Sequence, residues 1–414
     1  MKKEFLAFPR SAKLYLISEF LISGYYTWSF WYGFASERIT AAQFGIYLAI
    51  VYIVGLVSEV PTGAFADKYG RKLSAVIGAV LSAAIPVVVF VGGNFAAYVI
   101  AAIVSGIGGA FVSGSLESLV HDLRGMTKEM YRRIMVQEAF FYQVGLIISA
   151  ALGGFMYSLN HVLPFAAQLV SFLLAAVVIA QISSDGEVAV PQEAATHGGR
   201  RARLREYLSA TKEGFLHLFT IQIIRPLIVF GCTMGVLTWM CIEYINEAAM
   251  IHYGLQPDLR GLLIAGTKLL ALVILNVVVI KNVKTDEQKL LYLTLMTVTV
   301  FTLYSIGIKS IFLVAFLGFN LVSAIGTSFI RPMLHDHIES RWRATAISAY
   351  SFTANLVQAS AAVAVGYTLQ KYGVVFVQRS LLVLFIVIGI PALMIYLPRI
   401  RVGYKKALHS VPPA

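Results

Sequence analysis

The sequence predicts an all-α integral membrane protein of twelve transmembrane helices, arranged as two pseudo-symmetric six-helix bundles with both termini cytoplasmic. Three observations lead there. The 414 residues are 58% hydrophobic and 13% charged, with a mean hydropathy of +0.77, far above the roughly 45–50% apolar content of soluble domains. Apolar stretches of about 20 residues, each enough to cross about 30 Å of hydrocarbon as a helix, recur from end to end. The 33 Lys and Arg also sort by side: with the N-terminus inside, all but Arg38, Arg260, Lys268, Lys309, Lys371 and Arg379 fall in inner segments. That asymmetry obeys the positive-inside rule, so the net charge of +12 is an orientation signal and argues against a nucleic-acid partner.

The first bundle, 1–182, holds spans near 13–34, 42–62, 73–91, 95–119, 138–158 and 163–182. "MKKEFLAFPRSAK" leads into span 1 without a small-residue cleavage site, so the span is expected to stay. Alternating segments of about ten residues, the mark of a lipid-facing β-barrel, are missing. Residues 183–225 form a polar linker rich in Pro, Gly and charge. Within it Leu204, Leu208, Thr211, Phe215 and Leu218 recur at helical spacing, which predicts an amphipathic helix on the inner leaflet. The second bundle, 226–414, holds spans near 226–249, 259–280, 290–307, 311–331, 344–368 and 375–397. Cys232 and Cys241 lie nine positions apart in one helix, on opposite faces, so neither a disulfide nor a metal site is expected.

The halves resemble each other. "ESLVHDLRGMTKEMYRRIMVQEAFF" after span 4 aligns with "RPMLHDHIESRWRATAISAYSF" after span 10, pairing His121-Asp122 with His335-Asp336 and Arg133 with Arg343 across a four-residue gap. Duplicated halves with a site between them are typical of secondary transporters.

Between spans 2 and 3, "GAFADKYGRK" at 63–72 resembles the signature loop of the major facilitator superfamily, and the six-plus-six layout is similar to that family's over the whole chain. The resemblance implies two bundles around a central cavity that opens alternately to each side. In the sequence's own terms, Gly63 permits close helix approach and Gly70 a turn with positive φ. Asp67 is suited to meet a helix N-terminus. The resemblance makes that helix the eleventh, where Arg343 awaits, while Arg71 holds Asp67 and an acid at the end of span 4, Glu117 or Asp122. Such a cytoplasmic latch is expected to close in the outward-open state. Within the family the chain is most similar to the bacterial drug/proton antiporters: "GLIISAALGG" in span 5 keeps Gly145, Gly153 and Gly154 but has Ser149-Ala150 where that branch has Gly-Pro. In span 4, Ala102 stands where those antiporters carry an arginine, and the second-half loop "KNVKTDEQKL" lacks the glycines of the first.

Ionisable groups inside spans cost several kcal/mol unless they face a cavity or a partner. Glu19 in span 1, Lys268 in span 8, and Glu243 and Glu247 in span 7 are therefore the candidates for coupling and substrate contact. Glu19, Glu243 and Glu247 are proton-exchange candidates, and Lys268 either pairs with an acid, faces the cavity or meets a substrate anion. Glu59, Glu117 and Glu138, near inner helix ends, are expected to pair with basic loops. Tyr25 and Tyr26, with Trp239, Tyr244 and Asn320, are candidates for an aromatic cavity that takes a lipophilic or cationic molecule. Trp31 and Phe34 are expected in the interfacial belt. His121, His335 and His337 lack a third metal ligand or a nucleophile, so no enzyme, cofactor or metal centre is expected. The reading is a monomeric secondary transporter in the bacterial inner membrane, exporting small lipophilic or amphipathic molecules against protons. An importer or facilitator of a polar nutrient or lipid-like metabolite is the alternative, and a non-transporting receptor a remoter one.

Overall fold

The computed structural model describes residues 5, 8–121, 123, 126–183, 225–274, 285–336 and 343–398, and all regular secondary structure among them is helical. The chain divides into two compact units, Met1–Leu204 with Gly254–Gly266, and Arg205–Tyr253 with Thr267–Ala414. The segment expected to form an amphipathic linker helix lies outside the described residues.

In the first unit, span 1 is not one helix. Helix α1 (Arg10–Ile22) stops, residues 23–27 leave helical geometry, and a 3-10 turn at Trp28–Phe30 leads into α2 (Trp31–Ser36). Helix α3 (Ala41–Tyr69) starts on a reciprocal capping box, Thr40 with Gln43, which satisfies two of the orphan donors at its N-terminus. It continues seven residues past the expected end of span 2, because after Gly63 the run "AFADKY" contains neither Gly nor Pro. The signature stretch is thus the last two turns of a helix plus a one-residue corner at Gly70, φ 96°, the positive φ expected there. Helices α4 (Arg71–Gly92), α5 (Phe95–Ser113), α6 (Ser115–His121), α7 (Lys128–Leu159) and α8 (Val162–Ala180) follow, with Asn94 capping α5 and Thr127 capping α7 through their side chains.

Hydrocarbon gives no hydrophobic drive for helix association, so close packing and interhelical hydrogen bonds take over. Ala75, Ala79 and Ala83 form one buried stripe of α4. A Cβ at Gly78 would lie 2.7 Å from the Gly108 carbonyl oxygen, and one at Gly106 would lie 2.7 Å from the Gly55 nitrogen. By contrast no described atom lies within 4 Å of a Cβ built at Gly63. Ser115 Oγ donates to Ser74 Oγ at 2.7 Å, and Ser74 Oγ donates to the Phe111 carbonyl at 3.0 Å. Helix α7 carries two small-residue faces. Gly145, Ser149 and Gly153 meet span 1, while Ala150 and Gly154 meet the start of α11 (Pro257–Ile274), where a Cβ at Gly154 would lie 3.2 Å from Gly261 Cα.

The expected belt aromatics are interior. Phe34 is 1% exposed, with its ring 4.6 Å from Phe165 and the Arg38 guanidinium 3.5 Å above it. Trp31 packs on Tyr47, Tyr98 and Phe165. The short helix α2 turns these rings against neighbouring helices instead of leaving them in a belt.

The second unit contains α9 (Arg225–Met240), a π-helical segment at Cys241–Ile245, α10 (Asn246–His252), the rest of α11, α12 (Asp286–Ser305), α13 (Lys309–Asp336) and α14 (Arg343–Leu384) with a π segment at Phe385–Gly389. Spans 11 and 12 meet at Gly373, whose φ of 76° breaks α14. Although the second-half loop lacks the glycines of the first, its Thr285 and Gln288 form a capping box that starts α12. Cys232 and Cys241 are buried free thiols.

Eight helices among the described residues are long and apolar enough to cross a membrane. The difference from twelve has physical causes. Span 1 is broken, α11 carries Asp258, Arg260 and Lys268, α12 opens on Asp286, Glu287 and Lys289, and spans 11 and 12 form one continuous stretch across Gly373. Outward side chains such as Val91 (78% exposed), Leu295 (69%) and Met394 (67%) give apolar surfaces of the kind that membrane spans show to lipid.

Gly154→Leu forces a side chain into the Pro257–Gly261 backbone. We expect it to lower stability by about 1–3 kcal/mol, as overpacking does, read as a fall in thermal midpoint in detergent, while Gly63→Leu leaves the midpoint unchanged.

Candidate functional site

In the first unit the acids converge. Glu19 sits half-buried in the last turn of α1, at the helix end whose dipole disfavours a negative charge. The charges that act on it are those of Glu138 on α7 and Glu117 on α6. Glu117 accepts a hydrogen bond from the Tyr131 hydroxyl at 2.7 Å. Among the described residues neither Glu117 nor Glu138 makes the ion pair with a basic loop that the sequence suggested; both act on Glu19 electrostatically, and Glu117 acts on Glu138. Glu117 sits in the first turn of α6, where a helix dipole favours a carboxylate, but helix stability does not call for Glu19 or Glu138 beside it. A proton or a cationic ligand would neutralise them.

Tyr25 and Tyr26 lie in the non-helical stretch just beyond Glu19. The Tyr25 ring is partly exposed and meets Phe172 edge-on at 5.4 Å. The Tyr26 carbonyl rests against Gly153, where any Cβ would collide with it.

The signature residues are placed as follows. Asp67 is exposed in the last turn of α3. Arg71 donates to the Ser118 carbonyl at 3.1 Å, beside Glu117, and Lys72 donates to the Ile182 carbonyl at 3.2 Å. Asp122 lies outside the described residues, and of Arg343 only its place at the start of α14 is described.

In the second unit opposite charges meet. Glu243 lies within the π segment and interacts electrostatically with Lys268 on α11. Next to the lysine, Thr267 Oγ1 accepts from the Asn320 side-chain amide at 2.8 Å, so α11 and α13 are tied where the charge sits. Glu247, one turn after Glu243, is buried. Trp239 is partly exposed, and Tyr244 is fully buried in the unit's core. π segments recur at functional sites, but their extra residue per turn has no sequence signature. The convergence of Glu117 and Glu138 on Glu19 had a readable cue in their positions at one inner level of spans 1, 4 and 5. No group of three or more His, Cys, Asp or Glu among the described residues is arranged to hold a metal.

Long apolar helices around buried charges define a multi-pass membrane protein. The Major Facilitator Superfamily model matches residues 14–362, and the chain belongs to that family. Over 136 residues it is 30% identical to the uncharacterized MFS-type transporter YxaM of Bacillus subtilis, covering 32% of this chain and 33% of that one. Over 145 residues it is 24% identical to the quinolone resistance protein NorA of Staphylococcus aureus, covering 34% and 37% respectively. The chain thus matches about a third of the length of these relatives. The nucleoside transporter NupG superposes with a TM-score of 0.72 at 11% identity, over 94% of this chain and 98% of that one, a likeness of fold.

Removing one partner of the Glu243–Lys268 pair leaves the other uncompensated. Lys268→Met and Glu243→Gln are each expected to lower the thermal midpoint, and the double variant to recover part of the loss, with a coupling of about 0.5–3 kcal/mol.

Proposed function

We propose that the protein is a secondary active transporter of twelve spans in the bacterial inner membrane, with cytoplasmic termini, that exports small lipophilic or amphipathic molecules in exchange for protons. The observation that carries this reading is the Glu19, Glu117 and Glu138 cluster at the foot of a broken, tyrosine-bearing span. It sets a group able to take up and release a proton beside apolar rings able to stack on a substrate. The partial similarity to NorA supports export over import. The Glu243–Lys268 pair is a second charge site, which a protonated acid or a substrate anion would open. The signature residues Gly63, Asp67, Gly70 and Arg71, with Glu117, Asp122 and Arg343, serve as the cytoplasmic latch by resemblance to the family. Substrate moves without covalent chemistry.

In proteoliposomes, Glu19→Gln is expected to lose accumulation driven by a pH gradient while keeping exchange of substrate across the membrane, because the amide preserves shape but cannot cycle a proton. Gradient-driven accumulation at the wild-type level would transfer the coupling role to Glu243 or Glu247. Asp67→Asn is expected to slow transport several-fold with no change in membrane insertion, measured by initial rates at equal protein density.

A further inference from the structure

A helix interrupted within a membrane leaves backbone groups that hydrocarbon does not satisfy, so the break at residues 23–27 has to be closed group by group. The amides of Ser23, Gly24, Tyr25, Tyr26 and Trp28 donate to the carbonyls of Glu19, Leu21, Ser23, Gly24 and Tyr25 at 2.8–3.1 Å. Thr27 is different. Its N–H and its hydroxyl both donate to Oε1 of buried Gln168 on α8, at 3.1 and 2.6 Å. In a continuous helix the Thr27 amide would reach the Ser23 carbonyl four residues back. That carbonyl accepts instead from the Tyr25 amide at 2.8 Å and from Oγ of buried Ser149 on α7 at 3.2 Å, a hydroxyl that lies equally close to the Leu146 carbonyl of its own helix. Both ends of the missing helical bond are therefore occupied by side chains from other helices.

The surroundings are shaped to the same end. A Cβ at Gly145 would collide with Ser23 Oγ, one at Gly153 with the Tyr26 carbonyl, and one at Gly24 with Ser171 Oγ, which donates to the Leu21 carbonyl at 2.8 Å. The small-residue face of α7 is fitted to the broken span.

We infer that Gln168 and Ser149 are positioning residues: they hold span 1 open at 23–27 so that Tyr25 and Tyr26 are presented to the transported molecule, with Glu19 one turn below. The assignment of the tyrosines to substrate rests on the transport reading; the state of the backbone does not. Two donors converge on one oxygen of Gln168, so a carboxylate there replaces it and an alkyl group does not. Without that acceptor the buried Thr27 amide finds its partner by remaking the helical bond to Ser23, which straightens the span and turns both tyrosines.

The test uses the full-length protein with Cys232 and Cys241 replaced by alanine and spin labels at Arg10→Cys and Glu37→Cys, the two ends of span 1. Gln168→Glu keeps the wild-type distance distribution, while Gln168→Leu shifts it toward the roughly 40 Å of 27 residues in unbroken helix. Ser149→Ala, which takes the side-chain donor from the Ser23 carbonyl and leaves it only the Tyr25 amide, shifts it the same way and serves if Gln168→Leu does not insert. In proteoliposomes with ethidium as the probe, Gln168→Leu raises KM at least five-fold with a smaller change in Vmax, and Gln168→Glu stays within two-fold of wild type. The distance decides the backbone claim whether or not ethidium is carried. Unchanged distances in both Gln168→Leu and Ser149→Ala overturn the inference, as does an unchanged KM in a Gln168→Leu protein that transports ethidium.

Discussion

Each backbone N–H and C=O within the hydrocarbon has to find a partner inside the protein, and the rest of this structure follows from that demand. It explains why the described secondary structure is helix throughout, and why polar side chains in the spans turn back on their own helix. Thr62 bonds to the Ser58 carbonyl, Thr238 to Met234, Thr297 to Leu293 and Thr368 to Ala364, each four residues earlier. It also explains what happens where helical geometry fails. The π segments at 241–245 and 385–389 keep their backbone bonds by lengthening them to five residues. The break in span 1 cannot, and recruits Gln168, Ser149 and Ser171 from two neighbouring helices. Three buried polar side chains take up backbone groups that a plain helix would have bonded within itself.

Much of the fold was legible because composition and charge asymmetry are summed over hundreds of residues. Gly70 was readable because a sharp corner between two long helices needs a positive φ that few other residues adopt. The break after Ile22 was not, since "SGYYT" contains one glycine and no proline, and its stability comes from Gln168, some 140 residues away in sequence. Phe34 was misplaced for a related reason: hydropathy fixes depth in the membrane but not the direction in which a short helix turns its rings. Of the site, single residues were found and their groupings were not. Glu19 and Lys268 stood out as charges inside spans, whereas the company they keep, acids for one and Glu243 for the other, is a tertiary fact.

That difference in company separates the two units. In the second, a carboxylate and an ammonium balance each other across α11 and the π segment, and the Asn320–Thr267 bond fixes the lysine's helix beside them. Such a pair is content while closed and becomes costly when either member is taken away. In the first, three carboxylates share one neighbourhood at the unfavourable end of a helix dipole. The arrangement becomes comfortable only when something positive arrives. A pair that resists separation and a cluster that waits for a charge respond in opposite senses to the same cation. A transport cycle needs such a contrast, because a ligand moves a conformational equilibrium only through a difference in what it gains in each state. Identical halves would offer a proton or a cationic substrate the same welcome twice; these two do not.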